Sequence, residues 1–390
     1  MAHRSGRHFL QIPGPSPVPE RVLRAMDMPV IDHRGPAFGV LGKRVLERLK
    51  DVFKTEQPVI VFPSSGTGAW EAALVNTLSP GDKVLMYETG QFATLWCELA
   101  TRLGLKPEFL PGSWRHGVVA DEIAARLRDD SEHEIKAVCC VHNETSTGVT
   151  SRIAPVRAAI DSVGHPALLM VDTISGLASA DYRHDEWGVD VTVTGSQKGL
   201  MLPPGLGFNC VSRKALEAHD RSGFNTSYWD WGAMLGNNAS GFFPYTPATN
   251  LLYGLDESLK MLLDDEGLDN VFARHQRHAK ATRVCIAHWG LETLCEVEEE
   301  HSPVLTAVLL PDGHDADAVR DVILDKFDMS LGTGLGKVKG RIFRIGHLGD
   351  INDLTLLGTL AGVEMGLALA GVPINAGGTQ AAMDYLRDSA

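Results

Sequence analysis

The sequence predicts an α/β protein with a mostly parallel main sheet covered on both faces, followed by a smaller C-terminal α+β unit. Three observations carry this expectation. Between about residues 58 and 211, short β-branched runs alternate with stretches of helical spacing. Those runs are apolar from end to end, which is how strands buried on both faces read. Finally, 390 residues are enough for two units with separate cores, and the pattern changes after about residue 250.

The elements follow in order. An apolar run at Val59–Phe62 leads into the small-residue turn Ser64–Gly68 and a helix over Gly68–Leu78. Strand candidates are Lys83–Tyr87, Ile135–Val141, Ala167–Asp172, Asp190–Thr194 and Leu206–Val211. Helices at Phe92–Leu103, Asp121–Leu127 and Ile153–Val163 fall among them. Further on, helical spacing marks Leu251–Leu263 and Leu268–Trp289. A strand (Val304–Leu310), a helix (Ala316–Phe327), a glycine-rich segment (Leu331–Gly340), a strand (Arg341–Ile345) and a closing helix (Leu354–Leu369) complete the chain. The glycine-rich segment is too short for a linker and is expected to shape an active-site loop.

Composition narrows the function. Apolar residues make up 44% and charged residues 22%, as in an ordinary globular protein, and the formal net charge is −13. So acidic a chain argues against nucleic acid or an anionic membrane as partner. An anionic substrate stays open, because a few arginines in a cleft are enough to bind it. None of the six cysteines (97, 139, 140, 210, 285 and 295) forms a CxxC pair, so they read as core residues in a reducing compartment, with no metal site. The N-terminal stretch lacks an apolar signal region, no run reaches membrane length, and the last residues are not a peroxisomal address. Cytoplasm is the expected location.

Three short segments carry chemistry. Gly195–Gly199 (GSQKG) puts Lys198 just past a strand end, where α/β sheets place ligands. A lysine there can condense with an aldehyde cofactor if its neighbours lower its pKa. Asp172 ends its own strand 26 residues earlier, about one crossover unit, where a carboxylate can pair with a pyridinium nitrogen. Ser64–Trp70 (SSGTGAW) opens a helix, and such a turn offers free backbone N–H groups to an anion. It is neither a Walker motif nor a dinucleotide fingerprint. Each segment alone has a plainer structural reading: a surface lysine, a capping aspartate, an N-cap. Together and in this order they describe a pyridoxal-phosphate (PLP) site.

The chain resembles the class V aminotransferases, in particular the serine/alanine–glyoxylate enzymes. The matching segments include Pro13–Pro15, Asp32–Arg34, Ser65–Asn76, His142–Gly148 (HNETSTG), Gly195–Leu206, Tyr245–Pro247 and Phe343–His347 (FRIGH), spread over almost the whole chain. The resemblance implies the fold type I architecture, with a seven-stranded main sheet. It divides the chain into an N-terminal segment, 1–20, joining the small domain to the active site, a large cofactor-binding domain, 21–260, and a small domain, 261–390. It also implies roles. Lys198 would be the Schiff-base lysine and proton shuttle, and Asp172 the partner of the ring nitrogen. Ser65, Gly66, Thr67 and Gln197 would hold the phosphate with the partner subunit's Thr246. Thr145 would contact the ring hydroxyl, Phe92 would stack on one ring face and Ile174 would pack on the other. Arg344 would bind the substrate α-carboxylate, Gly14 would line that subsite, and His33 and Arg34 would reach it across a homodimer with shared active sites. A tetramer is the larger alternative.

The implied activity is transfer of an amino group from serine or alanine to glyoxylate. L-Aspartate is the alternative donor, since Asp27–Gly39 is similar to aspartate–glyoxylate enzymes and Arg34 would meet the second carboxylate. A cysteine-desulfurase-like lyase would need a nucleophilic cysteine on a C-terminal loop, where only Cys285 and Cys295 are available. A cofactor-binding regulator would have lost the lysine or gained a basic domain. Two segments depart from the family pattern, Val171–Ser175 (VDTIS) and Glu88 ahead of Gly90, and both bear on donor choice.

Overall fold

A computed structural model describes residues 6–389; residues 1–5 of the N-terminal segment and Ala390 lie outside the described residues. Two sheets organise the chain. The larger has seven strands in the order Val59–Ser64, Gly205–Val211, Val191–Gly195, Leu168–Asp172, Ile135–Val141, Lys83–Tyr87, Lys106–Leu110. All run parallel except Gly205–Val211, which is antiparallel to both neighbours. The central strands Leu168–Asp172 and Val191–Gly195 are buried at every residue, as their unbroken apolar character demands. Helices on both faces close one large core running from Val22 to Val271.

The smaller sheet has the order Phe9–Gln11, Met329–Thr333, Ile342–Gly346, Leu305–Leu309, Glu292–Thr293. A second apolar core, from Ala281 to Leu386, lies between this sheet and the helices Leu268–Trp289, Ala316–Phe327, Asp353–Leu369 and Gly378–Asp388. The first strand belongs here although it opens the chain. Phe9–Gln11 pairs in parallel with Met329–Leu331, and the residues after it run straight to Lys198. There Ser16 binds the Gln197 carbonyl through its N–H (3.0 Å) and the Lys198 carbonyl through its hydroxyl (2.9 Å).

Differences from the sequence reading have local causes. The strand Lys106–Leu110 lies at the sheet edge, where Pro107 and Glu108 break the apolar run that marks the inner strands. Helix Pro36–Phe53 carries Pro36 at its first turn and an amphipathic pattern that only packing against Thr249–Lys260 reveals. The glycine-rich segment is not wholly a loop, because Leu331–Thr333 completes a strand beside Ile342–Gly346. Gly332 is required there. A Cβ would come within 2.8 Å of Pro13 and 3.0 Å of Arg344.

Candidate active site

The parallel strands deliver their C-terminal ends to one place, as expected for ligand sites in α/β sheets. Asp172 is the last residue of its strand, and Lys198 lies three residues beyond the end of Val191–Gly195. Asn143, Glu144 and Thr145 follow Ile135–Val141, and Phe92 sits in the first turn of the helix after Lys83–Tyr87. Ser65 caps the helix Gly66–Thr77, whose first N–H groups have no intrahelical partner. These elements enclose a cavity of about 110 Å³ lined by Ser65, Gly66, Thr67, Phe92, Thr145, Asp172, Ile174, Gln197 and Lys198, together with Trp70 and Asn143. Hollows of about 450 to 500 Å³ elsewhere are more open to solvent and hold none of these side chains.

Burial sets the electrostatics. Lys198 is 8% exposed and its Nζ donates to the Pro13 carbonyl at 2.6 Å. Desolvation, reinforced by the Arg344 charge and opposed by Asp172, lowers its pKa to about 7. Asp172 accepts the Ile174 N–H at 2.6 Å on one oxygen and the Trp70 indole N–H at 2.9 Å on the other. Even so, burial pushes its carboxyl up to about 7, with Glu144 adding to the rise. Arg344, at 6% exposure, donates from Nε to the Thr333 carbonyl (2.8 Å) and from Nη1 to the Thr145 carbonyl (2.6 Å). Among the described residues no carboxylate lies within ion-pair distance of it. Burial brings its pKa down to about 10, with the Glu144 charge acting the other way, so the guanidinium keeps its charge at neutral pH without a contact ion pair among the described residues.

Most of the residues singled out in the sequence therefore meet. Gly14 joins them from the N-terminal segment. Its φ of +105° is a glycine conformation, and a Cβ there would collide with the Lys198 side chain. Three do not reach this cavity from their own chain. Thr246 and Arg34 are exposed and His33 is half-buried. Asp32–Arg34 forms a turn in which the Arg34 N–H binds the Asp32 carboxylate (2.9 Å) and the Arg34 guanidinium meets the His33 ring nitrogen Nε2 (2.9 Å).

The sequence reading assigned no role to Trp70 or Glu144. Glu144 is fully buried and its carboxylate caps the Gln91–Arg102 helix, accepting from the Phe92 N–H (3.3 Å) and the Ala93 N–H (3.1 Å). Both residues stood inside quoted motifs, but nothing in a motif tells which neighbour a side chain will face. Glu88 turns away from the cavity to an ion pair with Lys337 and a bond from the Trp114 indole. Cys285 and Cys295 are buried with their thiol pKa values raised by desolvation, and neither lies in a flexible glycine/serine-rich loop. No cluster of three metal-ligating side chains occurs among the described residues.

The class V aminotransferase family profile matches residues 8–335, most of the chain. The chain belongs to the class V aminotransferases. Among its relatives, serine–glyoxylate aminotransferase of Methylorubrum extorquens is 49% identical, with 99% of this chain and 98% of the relative covered. L-Aspartate–glyoxylate aminotransferase of Paracoccus denitrificans is 47% identical over 97% and 96%. Among solved structures, ureidoglycine–glyoxylate aminotransferase from Bacillus subtilis superposes with a TM-score of 0.91 at 28% identity, covering 99% of this chain and all of that one.

This class V aminotransferase uses pyridoxal phosphate, and its cavity fits that cofactor on its own evidence. Unpaired N–H groups at the start of the Gly66–Thr77 helix face the cavity that Gln197 also lines, as an anion would require. A lysine with a lowered pKa and a buried carboxylate line the same small space. Gly66 keeps it open, since a Cβ there would strike Ile174.

Proposed function

We propose that this class V aminotransferase moves the amino group of L-serine or L-alanine to glyoxylate, releasing glycine and an oxo-acid in a ping-pong cycle. The observation that carries the reading is the buried, charged Arg344, with no carboxylate at ion-pair distance among the described residues, bonded to the Thr145 carbonyl beside the cavity that holds Lys198 and Asp172. The Methylorubrum and Paracoccus relatives, both named as glyoxylate aminotransferases, support glyoxylate as the acceptor.

In this reading Ser65, Gly66, Thr67 and Gln197 hold the cofactor's phosphate, with the partner subunit's Thr246. Phe92 and Ile174 sandwich the ring, Thr145 meets its hydroxyl, and Asp172 keeps its nitrogen protonated. When bound, pyridoxal phosphate supplies an aldehyde for the amino group and a ring that draws off the electron pair left at the donor's Cα. Lys198 anchors the cofactor and, once displaced by a donor, takes the Cα proton on Nζ as a neutral amine. Arg344 grips the α-carboxylate, with Gly14 against it, and thereby decides which Cα bond is turned for cleavage. Units 1–20, 21–260 and 261–390 then serve as a connecting segment, a large cofactor-binding domain and a small C-terminal domain. The active unit is a homodimer, and the free cysteines suit the cytoplasm.

One observation favours aspartate as a second donor. Among the described residues the Arg34 side chain meets His33 and no carboxylate, so it is available to a second carboxylate across the dimer. Mixing the purified holoenzyme separately with L-serine, L-alanine and L-aspartate tests both readings. Serine or alanine should bleach the cofactor's visible band and glyoxylate should restore it. Bleaching by aspartate alone transfers the proposal to that donor, and no bleaching by any of them ends it.

A further inference from the structure

We infer that Trp70 is a positioning residue for the cofactor, its indole N–H and the Ile174 amide together aiming the Asp172 carboxylate at the ring nitrogen. This rests on reading Asp172 as the partner of that nitrogen. A carboxylate held by a single donor can swing about its Cβ–Cγ bond. Here each oxygen is held by a different element: Oδ1 by the Ile174 N–H (2.6 Å) in the turn after the strand, Oδ2 by Trp70 Nε1 (2.9 Å) from the Gly66–Thr77 helix. The two bonds fix the carboxylate plane while leaving each oxygen lone pairs for a further partner.

Trp70 cannot easily give way. It is 2% exposed and its ring stacks on Trp96, with centroids 5.8 Å apart and planes 12° apart. Trp96 comes from the Gln91–Arg102 helix, which also carries Phe92. The indole therefore links the element proposed to hold the phosphate, the element proposed to stack on the ring and the carboxylate proposed to hold the nitrogen. The charged groups bearing on Asp172 are Glu144, which disfavours its ionisation, and Lys198, which favours it. The Trp70 N–H binds the charged form and so works against burial and Glu144 in favour of ionisation.

Phenylalanine at this position keeps an aromatic face for Trp96 and removes the donor together with part of the ring volume, and the double variant and the melting midpoint separate the two effects. The experiment compares apoproteins of the wild type, Trp70→Phe, Asp172→Ala and the double variant. It measures the Kd of pyridoxal phosphate by equilibrium dialysis, the visible circular dichroism per bound cofactor and the melting midpoint without cofactor. Losing a hydrogen bond to a buried charge should raise Kd about tenfold to a hundredfold in the wild-type background. It should also flatten the dichroism, because the ring is less well fixed. In the Asp172→Ala background the same change should leave Kd unaltered, since Trp70 then has nothing to orient. An equal loss in both backgrounds, or no loss in the wild type, overturns the inference and leaves the cofactor assignment standing. Wild-type apoprotein that takes up no pyridoxal phosphate overturns the assignment and the inference together. If Trp70→Phe does not fold, Trp70→His, which retains a ring N–H, replaces it. Its Kd should stay near the wild-type value, and any difference from wild type should vanish in Asp172→Ala.

Discussion

Lys198 shows what burial does to one residue. An exposed lysine amine is protonated until about pH 10 and cannot attack an aldehyde. Here desolvation lowers the pKa to about 7, so the amine is neutral above that pH and protonated below it. Cofactor capture by apoprotein should accelerate as pH rises from about 6 to 8 and then level off, followed by stopped-flow absorbance. A rate still climbing steeply at pH 9 would mean the lysine is not desolvated as described. Arg344 makes a second case. Lysine in its place keeps a charge but loses the planar fork. Arg344→Lys should lower kcat/KM for the amino donor about tenfold to a hundredfold while leaving the cofactor Kd within about twofold, because it meets the substrate and not the cofactor. Equal losses in both quantities would move Arg344 out of the substrate subsite. Lys198 and Asp172 stood out in the sequence by residue type and offset, and Arg344 only through the resemblance to the family. Trp70 and Glu144 did not, because their importance comes from a partner brought in from a distant segment.

At the scale of the element, the helix Gly66–Thr77 depends on its first glycine. A methyl group at Gly66 would displace the Ile174 side chain, and the cavity is the open space beside it. Gly66→Ala should therefore raise the cofactor Kd tenfold or more, and adding Ile174→Ala should recover much of the loss. A Gly66→Ala protein with wild-type affinity would show that the helix start moves to accommodate the methyl. Elements buried on both sides were readable because their apolar runs are unbroken. Lys106–Leu110 and Phe9–Gln11 were not, because an edge position and a three-residue length leave no pattern.

At the scale of the molecule, stability is tied to histidines buried in the neutral form. His347 and His278 are held below their usual pKa by burial, and His275 is lowered to about 3. In the larger unit, burial lowers His142 and His184 to about 4. A histidine whose folded pKa lies below its unfolded value gives stability that is complete above about pH 6.5 and shrinks as pH falls. The loss is on the order of 1 kcal/mol per pH unit for each fully buried ring. Denaturant midpoints should fall from pH 7 to pH 5; a midpoint that holds or rises would contradict the neutral rings. The proposed dimer has its own check. Thr246 lies outside the cavity of its own chain, so Thr246→Ala should weaken cofactor binding only if a partner supplies it. Sedimentation should give a dimer for this protein, and a monomer binding cofactor with full affinity would dismiss the shared site.

Sequence by itself determined the α/β class, the order of the inner strands and helices, and the segments that hold the lysine, the aspartate and the anion-binding turn. Those features are local: strand character, helix starts and strand-end positions follow from residue type and spacing. Only the tertiary structure decided that the first strand completes the second sheet, bringing the Pro13 carbonyl to Lys198. Only it showed that Arg344 has no carboxylate within ion-pair distance among the described residues and that the Trp70 indole takes up one side of Asp172. These depend on which distant groups share a desolvated space, and spacing along a chain does not encode that.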